Sequence, residues 1–116
     1  MKKKIYSLFI AMALVIGVMS SASVSNASIR TESGIRKFVN DWQAKAISGN
    51  GTLVYGYDTF MINEDYAWGY HSTKKHYARV KNANGLYSSS WEKAGKTASI
   101  EVRHSGSSIV YFCNWN

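Results

Sequence analysis

The densest concentration of chemically capable side chains is the run Trp68-Gly69-Tyr70-His71-Ser72-Thr73-Lys74-Lys75-His76-Tyr77. It sets two lysines and two histidines between aromatic residues. Ammonium groups bind phosphate as point charges, while Tyr and Trp offer flat faces to sugars or lipid headgroups and keep a polar edge for hydrogen bonding. The plainer reading is a solvated connecting loop whose rings anchor the strand ends. A second set, His71, His76 and His104 with Glu92 or Glu101, contains the residue types of general acid–base work in a small basic nuclease. Its spacing specifies no such geometry, and Glu101 with Arg103 reads better as an ordinary strand face. No catalytic residue is assigned. The histidines lack a cysteine partner or an HxxxH pair, so neither a metal nor another cofactor is expected. Cys113 is the only cysteine, which excludes an intrachain disulfide. Between Phe112 and Trp115 it fits a small buried hydrophobe, with an intermolecular disulfide as the sharper alternative.

These residues need rigid elements beneath them. From Thr52 onward, short runs of aromatic and β-branched residues are broken by Gly, Asn and Ser, which predicts strands over Thr52–Tyr57, Thr59–Ile62, Tyr66–Tyr70, His76–Asn82, Leu86–Trp91, Thr97–Arg103 and Ser108–Trp115. Ala98, Ile100 and Val102 alternate with Ser99, Glu101 and Arg103, and Ala78 and Val80 alternate with Tyr77, Arg79 and Lys81. Asn84-Gly85 signals a hairpin, and Ser105-Gly106-Ser107 a weaker one between the last two strands. The fold expected is all-β, a small antiparallel β-sandwich or barrel. Ahead of it, Ile35, Phe38, Val39, Trp42 and Ala46 recur at helical spacing with Ser33 as N-cap, predicting a short amphipathic helix over 34–48. That helix would pack on the domain, act as a spacer, be removed as a propeptide, or lie on a membrane surface through its Trp and Phe.

The first residues have the three parts of a secretory signal: Lys2, Lys3 and Lys4, then the uncharged run Ile5–Met19, then a Ser-rich stretch ending Ser25-Asn26-Ala27. At 15 residues the apolar run is short for a bilayer span, so cleavage is expected after Ala27, with Ala22 as the alternative, and the product is expected to be secreted. The leader carries three of the 14 Lys and Arg and none of the seven acids, so processing lowers the net charge from +7 to +4. A small exported cation suits an anionic partner, although charge of this size also serves solubility.

Around the basic aromatic run the chain resembles the lactococcin-972 family of secreted bacteriocins. Trp68 precedes Tyr70, His71, Lys74, Lys75 and His76, which lead into Ala78-Arg79-Val80. Upstream, Gly51-Thr52 and Tyr55-Gly56-Tyr57 look like the start of the family's mature domain; downstream, Trp91, Ala94-Gly95-Lys96 and Ala98-Ser99-Ile100 keep its order, and Tyr111-Phe112-Cys113-Asn114-Trp115 is similar to its aromatic close. Lys96-Thr97 stands where a Trp often follows, and Cys113 where an aromatic is usual. The resemblance covers residues 51–116, leaving 28–50 as a helical extension or propeptide behind the signal at 1–27. It implies a β-sandwich of two small antiparallel sheets and a non-enzymatic antimicrobial that binds lipid II and blocks wall or septum synthesis in related bacteria. It also implies immunity and export partners, and no nucleic acid is expected. On chemical grounds the expected target-binding residues are Trp68, Tyr70, His71, Lys74, Lys75, His76, Tyr77, Arg79 and Trp91. A secreted cell-surface-binding module without killing activity would use the same surface.

Overall fold

Alternation of inward apolar and outward polar residues organises residues 27–116, the part described by the computed structural model, into eight strands. The expected signal lies outside the described residues apart from Ala27. The strands are β1 (Ala27–Glu32), β2 (Trp42–Ser48), β3 (Gly51–Asp58), β4 (Glu64–His71), β5 (His76–Asn82), β6 (Gly85–Ser88), β7 (Ala98–Arg103) and β8 (Val110–Trp115). They form two four-stranded sheets, ordered β1-β8-β5-β6 and β2-β3-β4-β7, with every neighbouring pair antiparallel. Hairpins join β2 to β3, β3 to β4 and β5 to β6, and the remaining connections cross between the sheets.

The core between the sheets mixes rings with very small residues. Leu53, Tyr55, Tyr111 and Trp115 are buried beside Ala67, Ala78, Ala98 and Cys113. The small positions let the two layers approach. A Cβ on Gly69 of β4 would lie 2.7 Å from Cys113 Sγ of β8, and one on Gly51 would lie 2.5 Å from the Trp115 ring. With one cysteine and no disulfide, this interlocking and the area of the buried rings hold the sheets together.

The expected two-layer antiparallel architecture is present, but the amphipathic helix over 34–48 is not. Residues 33–41 form a loop, and residues 42–48 are β2, paired along their whole length with β3 from Trp42↔Tyr57 to Ser48↔Gly51. Trp42, Ala44 and Ala46 also recur at period two, so a short segment carried both patterns and pairing with β3 selected the strand. Gly49-Asn50 is the turn of that hairpin, with Gly49 at φ 58°. Upstream, β1 pairs with the last strand, so residues 27–50 contribute a strand to each sheet. The expected strand over Thr59–Ile62 is an exposed loop joining β3 to β4. Ser105-Gly106-Ser107 carries the chain from one sheet to the other and closes no hairpin.

Candidate functional site

The basic aromatic run divides at the crossover between β4 and β5. His71 closes β4 with its side chain turned inward against Trp115, the ring centroids 4.7 Å apart. Its Nδ1 accepts hydrogen bonds from the backbone N–H groups of Thr73 (3.1 Å) and Lys74 (3.0 Å), which folds residues 72–75 into a tight loop. Burial, and then the nearby His76 and Lys74 charges, hold the His71 pKa below its ordinary value, so the ring keeps the acceptor this loop needs. His76 opens β5 fully buried, its Nδ1 2.9 Å from the Lys74 carbonyl oxygen and its Nε2 2.6 Å from that of Lys96. Carbonyl oxygens only accept, so each contact is a hydrogen bond when the ring nitrogen facing it carries the hydrogen. Its backbone also exchanges two hydrogen bonds with Glu92. The two histidines are therefore clips inside the protein and do not present themselves to a ligand.

What they position lies at the surface, with Lys75, Trp91 and Arg30 exposed and Tyr77, Arg79 and Phe112 half-buried. On the outward face of the first sheet, Lys75 Nζ lies 5.2 Å from the Trp91 ring centroid, and Trp91 packs on Tyr77 at 4.5 Å. Arg79 follows two residues along β5, its guanidinium 5.4 Å from Tyr77 and 6.0 Å from Phe112. Arg30 approaches the same Phe112 ring from β1, also at 6.0 Å. Register explains the last group: Phe112 is the cross-strand partner of both Arg79 and Arg30. The result is a continuous row of cations and rings, Lys75–Trp91–Tyr77–Arg79–Phe112–Arg30. Ser88 Oγ accepts from Arg79 Nε at 3.0 Å and Glu32 pairs with Arg30 at 2.9 Å, fixing both guanidiniums from the side. Guanidinium groups suit the paired oxygens of phosphate, and the rings beside them suit sugar faces.

Trp68 and Tyr70 belong elsewhere. They alternate with buried Ala67, Gly69 and His71 along β4, which puts them on the outward face of the second sheet. Trp68 stacks on Tyr66 there with centroids 4.8 Å apart, and the Tyr66 hydroxyl accepts a hydrogen bond from Gln43 Nε2. Tyr70 makes a tilted contact, 6.4 Å between centroids, with the His76 ring. Lys74 is exposed in the β4–β5 loop. Of the nine expected residues, Lys75, Tyr77, Arg79 and Trp91 thus form one row. Phe112 and Arg30 complete it and were missed, because they come from opposite ends of the chain and meet only through strand register. The alternation of Phe112 with Tyr111 and Cys113 was the available signal for an outward ring.

The three histidines do not converge. His104 lies at the other end of the sandwich, with Nδ1 2.7 Å from Asp65 Oδ1 and its ring stacked on Phe38. Asp65 is wholly buried; Asn82 Nδ2 donates to its other oxygen at 3.0 Å. Desolvation raises the Asp65 pKa against the opposing pull of Asn82, His104 and the Ser105 N–H. Both carboxylate oxygens are committed to neighbours, so the cluster acts as a polar fastening between β4, β5 and the β7–β8 connection. Cys113 is fully buried and its thiol pKa is pushed up to about 12 by desolvation, which places it in the core and away from any intermolecular disulfide. Among the described residues no cluster of three or more His, Cys, Asp or Glu side chains could hold a metal ion.

No protein-family model, curated protein or solved structure matches the chain, so the row on the first sheet is interpreted from its own chemistry.

Proposed function

We propose that this is an exported bacteriocin-like protein whose first-sheet face grips an anionic cell-envelope precursor, of which lipid II is the leading candidate, and thereby inhibits wall or septum synthesis in related bacteria. The carrying observation is the row Lys75–Trp91–Tyr77–Arg79–Phe112–Arg30, in which three cations are interleaved with three rings, four of the six residues on the paired strands β5, β8 and β1 and the other two on the adjoining loops. A pyrophosphate linked to amino sugars presents the complementary chemistry: adjacent negative oxygens for Arg79 and its neighbours, and flat sugar faces for Tyr77 and Trp91. Strand backbones and the His71 and His76 clips hold the row in place before a ligand arrives, lowering the ordering cost of binding. The resemblance of residues 51–116 to secreted bacteriocins supplies the biological setting. Binding, and not bond breaking, is the mode of action.

The test is to add the protein, recovered from a bacterial host expressing the full chain, to lawns of related strains and to vesicles with and without lipid II. Inhibition zones and lipid II-dependent binding are expected, and Lys75→Ala/Arg79→Ala should weaken both. Retained affinity in that folded variant refutes the assignment of the face. Binding without inhibition would leave a surface-binding module.

A further inference from the structure

The chain contains two Asn-Gly pairs, Asn50-Gly51 and Asn84-Gly85, and in each the asparagine ends a hairpin turn whose closing strand begins at the glycine. We propose that Asn84 is a site of spontaneous deamidation, converted through a cyclic imide to aspartate and isoaspartate, whereas the fold protects Asn50 from the same reaction. This goes beyond the proposed function and does not depend on it.

The chemistry needs only water. The backbone nitrogen of the glycine attacks the asparagine Cγ, the new C–N bond replaces the side-chain amide, and the displaced nitrogen leaves as ammonia with the glycine's proton. Water then opens the imide at one of its two carbonyls, giving aspartate or isoaspartate, in which the main chain runs through Cβ. Glycine favours the attack because it has no Cβ to crowd its nitrogen and leaves the backbone free to rotate.

Both turns are paired hairpins, so reaction waits for local opening, and the cost of opening differs between them. β6 is a four-residue edge strand that pairs only with β5, and none of its side chains is buried. Asn84 is exposed, and nothing lies within 4 Å of the place a Cβ on Gly85 would take. The Ala83 N–H donates to the Ser105 carbonyl oxygen at 3.1 Å and the Asn84 N–H to Asn82 Oδ1 at 2.8 Å, which fixes the chain up to Asn84. The attack requires rotation beyond that point, which displaces only the exposed edge strand. At the other turn, buried Gly51 opens β3, which lies between β2 and β4, and pairs with both Ser48 and His71. A Cβ there would stand 2.5 Å from the Trp115 ring, and the Asn50 carbonyl oxygen accepts from the Ser72 N–H at 3.1 Å. Freeing Gly51 means detaching the start of a central strand from both neighbours.

The reaction has a consequence for the first sheet. Ser88 Oγ, which accepts from Arg79 Nε at 3.0 Å, belongs to β6. Isoaspartate at position 84 lengthens the turn by one main-chain atom, so β6 loses its register with β5 and Arg79 loses this steadying contact.

The test is to incubate the processed protein at mildly alkaline pH, folded or in urea, and to follow both sites by peptide mapping with mass spectrometry and isoaspartyl methyltransferase labelling. In the folded protein Asn84 should convert about tenfold or more faster than Asn50, while in urea the two should convert at similar rates. Asn84→Gln, whose longer side chain closes an imide far more slowly, should remove the folded-state product at an unchanged urea midpoint. In the isoaspartate form, isolated by ion exchange, the Arg79 Nε proton should exchange with water several-fold faster than in the parent. Asn50 keeping pace with Asn84 in the folded protein overturns the inference, as does a folded protein that converts at neither site while both react in urea. Unchanged exchange at Arg79 Nε refutes the link to the first sheet.

Discussion

Replacing His76 with alanine should unfasten the end of the sandwich that carries Lys75 and Trp91. The native ring is fully buried and bridges the Lys74 and Lys96 carbonyl oxygens at 2.9 and 2.6 Å. Each of these contacts donated by a ring N–H is worth about 1 kcal/mol net, so the polar part of the loss is about 1–2 kcal/mol. Shrinking a buried ring to a methyl group adds about 1–2 kcal/mol after partial collapse. The sum, about 2–4 kcal/mol, is a large share of the stability of a domain this size, about 5–10 kcal/mol. Urea denaturation followed by tryptophan fluorescence measures it, and His76→Gln should recover part of the loss by restoring a donor to one carbonyl. The β5–β8 pairing does not depend on the ring, so Arg79 and Phe112 should keep their register while Lys75 and Trp91 lose theirs. A loss below about 1 kcal/mol would refute the reasoning that His76 is a structural clip.

Other perturbations address the core, the loop and the thiol. Gly69→Ala should destabilise by about 1–3 kcal/mol, because its Cβ would meet Cys113 Sγ at 2.7 Å; adding Cys113→Ala should restore part of the loss in the same urea assay. The folded-state His71 pKa is lowered, so its contribution to stability is complete above the unfolded-state value of about 6.5 and is lost as pH falls through the folded value. Amide exchange at Thr73 and Lys74 should therefore accelerate relative to neighbouring strand amides on acidification through that range. His71→Asn, which keeps an acceptor that does not titrate there, should flatten the response. Cys113, with its thiol pKa raised to about 12, should resist alkylation at neutral pH and react once the chain is unfolded in urea. Non-reducing gels should show no cysteine-linked dimer.

Strand alternation made most of the sandwich legible. Ala98-Ile100-Val102 and Ala78-Val80 face inward as their spacing required, and β6 begins at Gly85 beside the expected turn. The segment around Trp42 was ambiguous because it satisfied a helical and a strand period together, and only a long-range partner, β3, could decide. Phe60-Met61-Ile62 looked like strand material, yet these residues form an exposed loop tip, where apolarity reflects no core position. β1 had little local signal, since Ile29 is its one buried hydrophobic residue among those whose side chains are described. The cation–ring row was half legible for a similar reason. Residues 68–77 are contiguous in sequence, but strand alternation and one crossover send Trp68 to the second sheet and Tyr77 to the first. Arg30 and Phe112 are 82 positions apart and meet through register.

The most direct measurement is an NMR titration of the labelled protein with a soluble pyrophosphate-linked amino sugar. Shift changes should gather on Arg30, Tyr77, Arg79, Phe112 and the Trp91 indole N–H, leaving Trp68 and the outward face of the second sheet undisturbed. No change at saturating ligand, or changes centred on Trp68, would contradict the claim that the cation–ring row is the binding face.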